Sequence, residues 1–145
     1  AKTYVIFDGD KDMWAYAYMK GWSVNHRVNF DLDDAHELFR MPRAVDEEYV
    51  KRRLRQRMAQ TKVFVVLVGE STRYLHRYVR WEIEEAIKND IPIVVANLNG
   101  QNGIDEELCP PILRNHLAPH VPFKVDKLNH ALTDFVNNYN RYRYK

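Results

Sequence analysis

Six consecutive apolar residues, Val63-Phe64-Val65-Val66-Leu67-Val68, constrain this chain most. A strand half-exposed to water alternates apolar and polar residues, whereas this run is apolar at both parities. It therefore reads as a central, parallel strand covered on both faces. Ile91-Pro92-Ile93-Val94-Val95-Ala96-Asn97-Leu98 is a second buried strand, with Pro92 tolerated at its start. Between them lies a helical pattern ending at Asn89 or Asp90. Ser71 or Thr72 is its expected cap and its start is expected between Arg73 and Arg77.

The rest of the chain alternates in the same way. Thr3 to Phe7 is a first strand, stopped by the turn signal Asp8-Gly9-Asp10. Lys11 to Lys20 is a helix with Met13, Trp14, Ala17 and Tyr18 on one side and Gly21 as its stop. Arg27 to Leu32 alternates like a second strand, while Ala35 to Ala44 is ambiguous because Pro42 opposes a continuous helix. Asp46 to Gln60 is a helix with Val50, Leu54 and Met58 inward. Its acids lie at the N-terminus and its bases toward the C-terminus, as the helix dipole prefers. Residues 105 to 117 read as irregular or as a short helix, interrupted by Pro110 and Pro111. Val121 to Val125 reads as an edge strand. Leu128 to Tyr142 reads as a closing helix with Leu128, Leu132, Phe135, Val136 and Tyr139 inward.

This order calls for an α/β fold: a flavodoxin-like sandwich of about five parallel strands with helices on both faces. The expected strand order is 2-1-3-4-5, with its switch point between the first and third strands. At 145 residues, 46% hydrophobic and 29% charged, the chain is expected to form one globular domain. It shows no apolar run of membrane-spanning length and no signal-peptide pattern, so a cytoplasmic protein without membrane contact is expected. A net charge of +2 does not argue for nucleic acid. Lys51, Arg52, Arg53, Arg55 and Arg57 are best read as a solvated face laced by pairs such as Glu48 with Arg52, since no aromatics interleave with them. The single cysteine, Cys109, excludes an internal disulfide.

Glu82 is the candidate for chemistry. At roughly 100° per residue, Leu75, Val79, Ile83, Ala86 and Ile87 form one apolar stripe, and Glu82 falls within about 20° of Leu75. An inward carboxylate costs free energy unless it is paired, hydrogen-bonded or set in a polar cleft. On the wheel alone two ordinary readings are favoured: Glu82 leans out to water at the stripe's rim, or it pairs with Arg80 or Arg77. Its position along the chain points the other way, because it follows closely on the carboxyl end of a buried strand, where ligands bind in open parallel sheets. The same topology gathers Asp8 to Asp12, Asp31 to Asp34, and Ser71 with Glu82 around one crevice. Asp8, Gly9, Asp31 and Ser71 are thereby candidate substrate-binding residues.

Other constellations are weaker. His116 and His120 have helical metal spacing, but Pro119 lies between them, and no metal site is expected. A magnesium-binding acidic set of Asp8, Asp10 and Asp12 would need an acceptor aspartate after Val68, where this chain has Gly69 and Glu70.

Leu67-Val68-Gly69-Glu70-Ser71-Thr72, a basic spacer, and Tyr78-Val79-Arg80-Trp81-Glu82-Ile83 together resemble a motif of the TIR-like domain family that includes the ThsB proteins of Thoeris antiphage systems. The family pattern is a strand, Leu-Ile-Gly-x-x-Thr, a spacer, and Trp-Val-x-Tyr/Trp-Glu-Ile. Weaker matches are the Trp22 region, Phe30-Asp31, and Asp46-Glu47 leading into a helix with Lys51. The similarity spans roughly residues 3 to 98. The chain departs from the pattern at Tyr78, where tryptophan is usual, and at Asp8-Gly9-Asp10, where relatives commonly carry a serine-aromatic pair. Arg27, Arg40 or Arg77 would have to offset those acids if a diphosphate binds nearby.

The resemblance implies a catalytic glutamate at Glu82 and NAD as substrate rather than cofactor. It also implies cleavage of the nicotinamide–ribose bond, giving a cyclic or conjugated ADP-ribose signal that activates a separate effector. Homo-oligomer formation is left open. Two other readings stand beside it: a TIR-like assembly module without catalysis, and an enzyme resembling nucleoside deoxyribosyltransferases.

Overall fold

The computed structural model describes residues 2–25, 28, 30–33 and 46–144. Four parallel strands form one sheet in the order β1 (Lys2–Ile6), β2 (Thr61–Val68), β3 (Ile93–Asn97) and β4 (His120–Pro122). The helices are α1 (Met13–Val24), α2 (Glu47–Met58), α3 (Val79–Lys88), α4 (Pro111–Arg114), α5 (Val125–Asn137) and α6 (Tyr139–Arg143). β2 lies between β1 and β3 and is buried on both faces, as its composition requires. Phe64, Val66 and Val68 join Tyr4, Ile6 and the α2–α3 layer. Val63, Val65 and Leu67 join Val5, Phe7 and the α1–α5 layer. No helix among the described residues is long and apolar enough to cross a membrane.

Among the described residues the sheet has four strands, where about five were expected. Of the second strand expected from Arg27 to Leu32, the described residues show one rung, with Leu32 beside Thr3 at the outer edge of β1. Arg27 and Asn29 lie outside the described residues, as do Asp34, Arg40 and the ambiguous segment 35–44. The rung is held by the Thr3 N–H donating to the Asp31 carbonyl at 2.8 Å and the Asp33 N–H donating to the Thr3 carbonyl at 2.9 Å.

Helix α1 also differs. It runs through Gly21 to Val24, and its buried residues are Ala15, Tyr16 and Met19. Trp14, Ala17 and Tyr18 do share a side, but that side is exposed. Gly21 fails to stop the helix because tertiary packing holds the last turn. The Trp22 ring lies 4.9 Å from that of Phe123 and 6.4 Å from that of Phe30, centroid to centroid. A methyl group built on Gly21 meets nothing within 4 Å. Gly21→Ala is therefore expected to stabilise the protein by about 1 kcal/mol, the helix-propensity difference, seen as a higher urea midpoint at unchanged slope. The closing helix likewise divides into α5 and α6 at Asn138, whose side-chain amide bonds to the Asp134 carbonyl at 2.9 Å.

Helix α3 begins at Val79, later than its sequence pattern suggests, and residues 72–74 form a short 3-10 turn instead. Both expected caps are engaged elsewhere. Thr72 Oγ1 accepts from the Gly69 N–H at 2.8 Å and donates to the Leu67 carbonyl at 3.3 Å. Ser71 Oγ donates to Asp8 Oδ2 at 2.6 Å. The stretch from Ser71 to Tyr78 is thus a strap anchored to the carboxyl ends of β1 and β2.

Candidate active site

The chain leaves β1 toward α1 on one face of the sheet and leaves β2 toward α3 on the other. A crevice must open where neighbouring strands diverge in this way. It is present as a cavity of about 600 Å³. Val5, Phe7, Asp8, Gly9, Asp10 and Met13 form one wall, the strap residues Tyr74 to Tyr78 the other, and Val79 and Glu82 the α3 side. A second hollow of about 570 Å³ lies on the outer face of α1, but no charged side chain lines it.

Glu82 occupies the first turn of α3 and is 3% exposed. Neither arginine proposed as its partner takes it: Arg80 pairs with Glu84 at 3.2 Å, and Arg77 with Glu47 at 3.5 Å. Its partner is Tyr4 of β1, whose hydroxyl donates to Glu82 Oε2. Glu82 Oε1 has no hydrogen-bond partner among the described residues, and Glu82 lines the cavity. Burial pushes the carboxyl up to about 8; the Tyr4 hydrogen bond pulls in the opposite direction but is the smaller effect. The acid is mostly protonated at neutral pH when the cavity is empty.

The other candidates are placed unequally. Asp8 is 4% exposed and accepts from Ser71 Oγ and, through Oδ1, from the Asp10 N–H at 2.9 Å and the Lys11 N–H at 3.3 Å. These bonds fix the turn at the mouth of the cavity. Gly9 lines the cavity beside it, and Ser71 reaches it through Asp8. Asp31 is not part of this group. It is exposed, with Oδ1 3.4 Å from Lys2 Nζ, at the amino end of β1. The reason is register: Leu32 pairs with Thr3, five residues and roughly 16 Å short of Asp8 along the strand. Of the arginines considered as counter-charges, Arg77 lines the cavity. His116 and His120 do not line it.

The residue that sequence reading passed over is Tyr4. The signal was present, since a tyrosine on a buried strand needs a partner for its hydroxyl, but the strand pattern names no partner. The strap aromatics Tyr74 and Tyr78, and His76, were missed for a similar reason, because the segment reads as helix.

Fold and site together define a parallel α/β domain with a buried acid at its switch-point crevice. The chain belongs to the TIR-like domain family of the Thoeris protein ThsB, whose family model matches residues 4–103. That match contains β1 from Tyr4 onward, α1, α2, β2, α3 and β3, and so every wall of the cavity. No curated protein matches the chain.

Proposed function

We propose that this protein processes NAD, using Glu82 to break the bond between nicotinamide and ribose. The observation that carries the reading is a buried carboxylate with one oxygen tied back to the sheet and the other, beside a cavity, without a hydrogen-bond partner among the described residues. Nicotinamide leaves as a neutral group, so positive charge builds on the ribose, which becomes oxocarbenium-like. A carboxylate bonded to ribose hydroxyls stabilises that charge, and does so more strongly in a pocket poor in water. The cationic nicotinamide of the incoming substrate also favours the ionised form of Glu82, offsetting part of the burial effect. A second nucleophile captures the ribose in place of water if the closed pocket excludes solvent. The product is a cyclic or conjugated ADP-ribose, and membership of the ThsB family supports its role as a diffusible signal that activates a separate antiphage effector.

The test is direct. Purified protein is incubated with NAD and nicotinamide release is followed. Release that saturates with NAD is expected, and NAD left intact at every concentration overturns the reading.

A further inference from the structure

We propose that Tyr4 is the positioning residue for Glu82: it holds one carboxylate oxygen so that the other meets the substrate, and its O–H keeps this acid ionisable in a dry slot. The proposal rests on the NAD reading for its substrate, but its core is a relation between two side chains of this chain.

Among the described residues the Tyr4 hydroxyl has Glu82 as its hydrogen-bond partner. Tyr4 is 1% exposed and does not line the cavity, so it acts only through Glu82. Its ring packs on Phe64, with centroids 4.9 Å apart, so the direction of the hydroxyl is set by β1 and β2 rather than by a mobile loop. A two-point hold follows. The backbone of α3 fixes one end of Glu82, Tyr4 fixes Oε2, and Oε1 is the oxygen left for the ribose. A purely structural polar pair would tie up both oxygens, because an unpartnered buried acceptor costs free energy. Here one is left open beside a cavity.

The surrounding charges leave this role to Tyr4. Asp8, Asp10, His76 and Arg77 face the cavity from the exit of β1 and from the strap. Glu85, the nearby acid on α3, pairs with Arg55 at 3.2 Å. Behind Tyr4, Asp33 pairs with Arg57 at 3.5 Å. Burial, then Glu82, pushes the Tyr4 hydroxyl well above its ordinary value, so it remains a proton donor while Glu82 titrates. A donor to a carboxylate favours the charged form, and its removal must make Glu82 harder to ionise.

The experiment compares wild type with Tyr4→Phe, which keeps the ring. The pH profile of kcat/KM for nicotinamide release is measured, and Glu82 is titrated by NMR of labelled carboxylates. In the wild type, activity rises through a limb near pH 8, the value for Glu82 in the free protein. In Tyr4→Phe the limb moves up by about one pH unit or more. Near neutral pH kcat/KM then falls about tenfold, with activity recovered at higher pH. A merely structural loss lowers activity at all pH values without moving the limb, and coincident limbs overturn the proposal. If wild type leaves NAD intact, the functional reading fails alone, and the NMR titration decides: equal titration of Glu82 in both proteins overturns the proposal. If Tyr4→Phe does not fold, the wild-type Tyr4 ring resonance decides. It must follow the Glu82 titration, and a flat response overturns the assignment.

Discussion

Glu82→Gln is expected to stabilise the protein by roughly 5 kcal/mol at alkaline pH, to change little at pH 4, and to cut nicotinamide release by about 100- to 1000-fold. The opposite signs have one cause. Glu82 is buried and its hydrogen-bond partner among the described residues, Tyr4, is neutral, so its carboxyl rises from an ordinary 4.5 to about 8. Below 4.5 the acid is neutral both folded and unfolded, and the stability tied to its proton is fully present. Between 4.5 and about 8 the unfolded chain gives up that proton while the folded chain keeps it, so stability falls as pH rises. Above about 8 the loss is complete, and the gap between the two values corresponds to roughly 5 kcal/mol. The N-terminal position on α3 favours an anion by at most about 2 kcal/mol, too little to reverse this. Glutamine is neutral at every pH, and its side-chain oxygen still accepts from Tyr4. Denaturant unfolding at a series of pH values checks the prediction: the wild-type and variant curves must diverge as pH rises, and parallel curves contradict it. A fold that carries such a burden at one position, beside a cavity, is spending stability on an ionisable group, which is the pattern of a functional site.

What could be read from the sequence divides by the range of the interactions involved. β2, β3 and α2 are legible because each follows from neighbours a few residues apart. Val63 to Val68 are apolar at both parities, and Val50, Leu54 and Met58 repeat at helical spacing. Glu82 lies in between. The wheel placed it along the apolar stripe but left salt bridges to Arg77 or Arg80 open, and those arginines have other partners. Asp8, Gly9 and Ser71 were placed by topology alone; Asp8 and Gly9 follow β1, and Ser71, just past β2, bonds to Asp8. Asp31 followed from the same topology and lies at the other end, because its neighbour Leu32 pairs with Thr3, near the start of β1. The start of α3 was hidden for a further reason. Ser71 and Thr72 have the chemistry of helix caps, and nothing local shows that Asp8, Gly69 and Leu67 compete for their hydroxyls. The pairing of Tyr4 with Glu82 joins β1 to α3 across most of the matched domain and has no local signature at all.

Thr72→Val is expected to destabilise the protein by about 2 kcal/mol, lowering its melting temperature by roughly 4–8 °C, whereas Thr72→Ser stays close to wild type. Valine matches threonine in shape, so the side chain, 1% exposed, leaves no cavity. What is lost is the hydroxyl that receives the Gly69 N–H and donates to the Leu67 carbonyl. Gly69 is buried, so its N–H is then left without a partner, which carries the larger part of the cost. The backbone has little room to adjust. A methyl group on Gly69 would sit 2.4 Å from Asp12 Oδ2, so the buried Asp12 carboxylate lies close against the chain at this point. Thr72 also anchors the strap whose residues Tyr74 to Tyr78 wall the cavity. Loosening that wall acts on substrate binding before it acts on Glu82, so KM for NAD rises more than kcat falls. Serine keeps both hydrogen bonds and loses only a methyl group, which separates hydrogen bonding from packing. Equal stability and equal KM for the valine and serine variants would show that the strap is held by contacts other than the Thr72 hydroxyl.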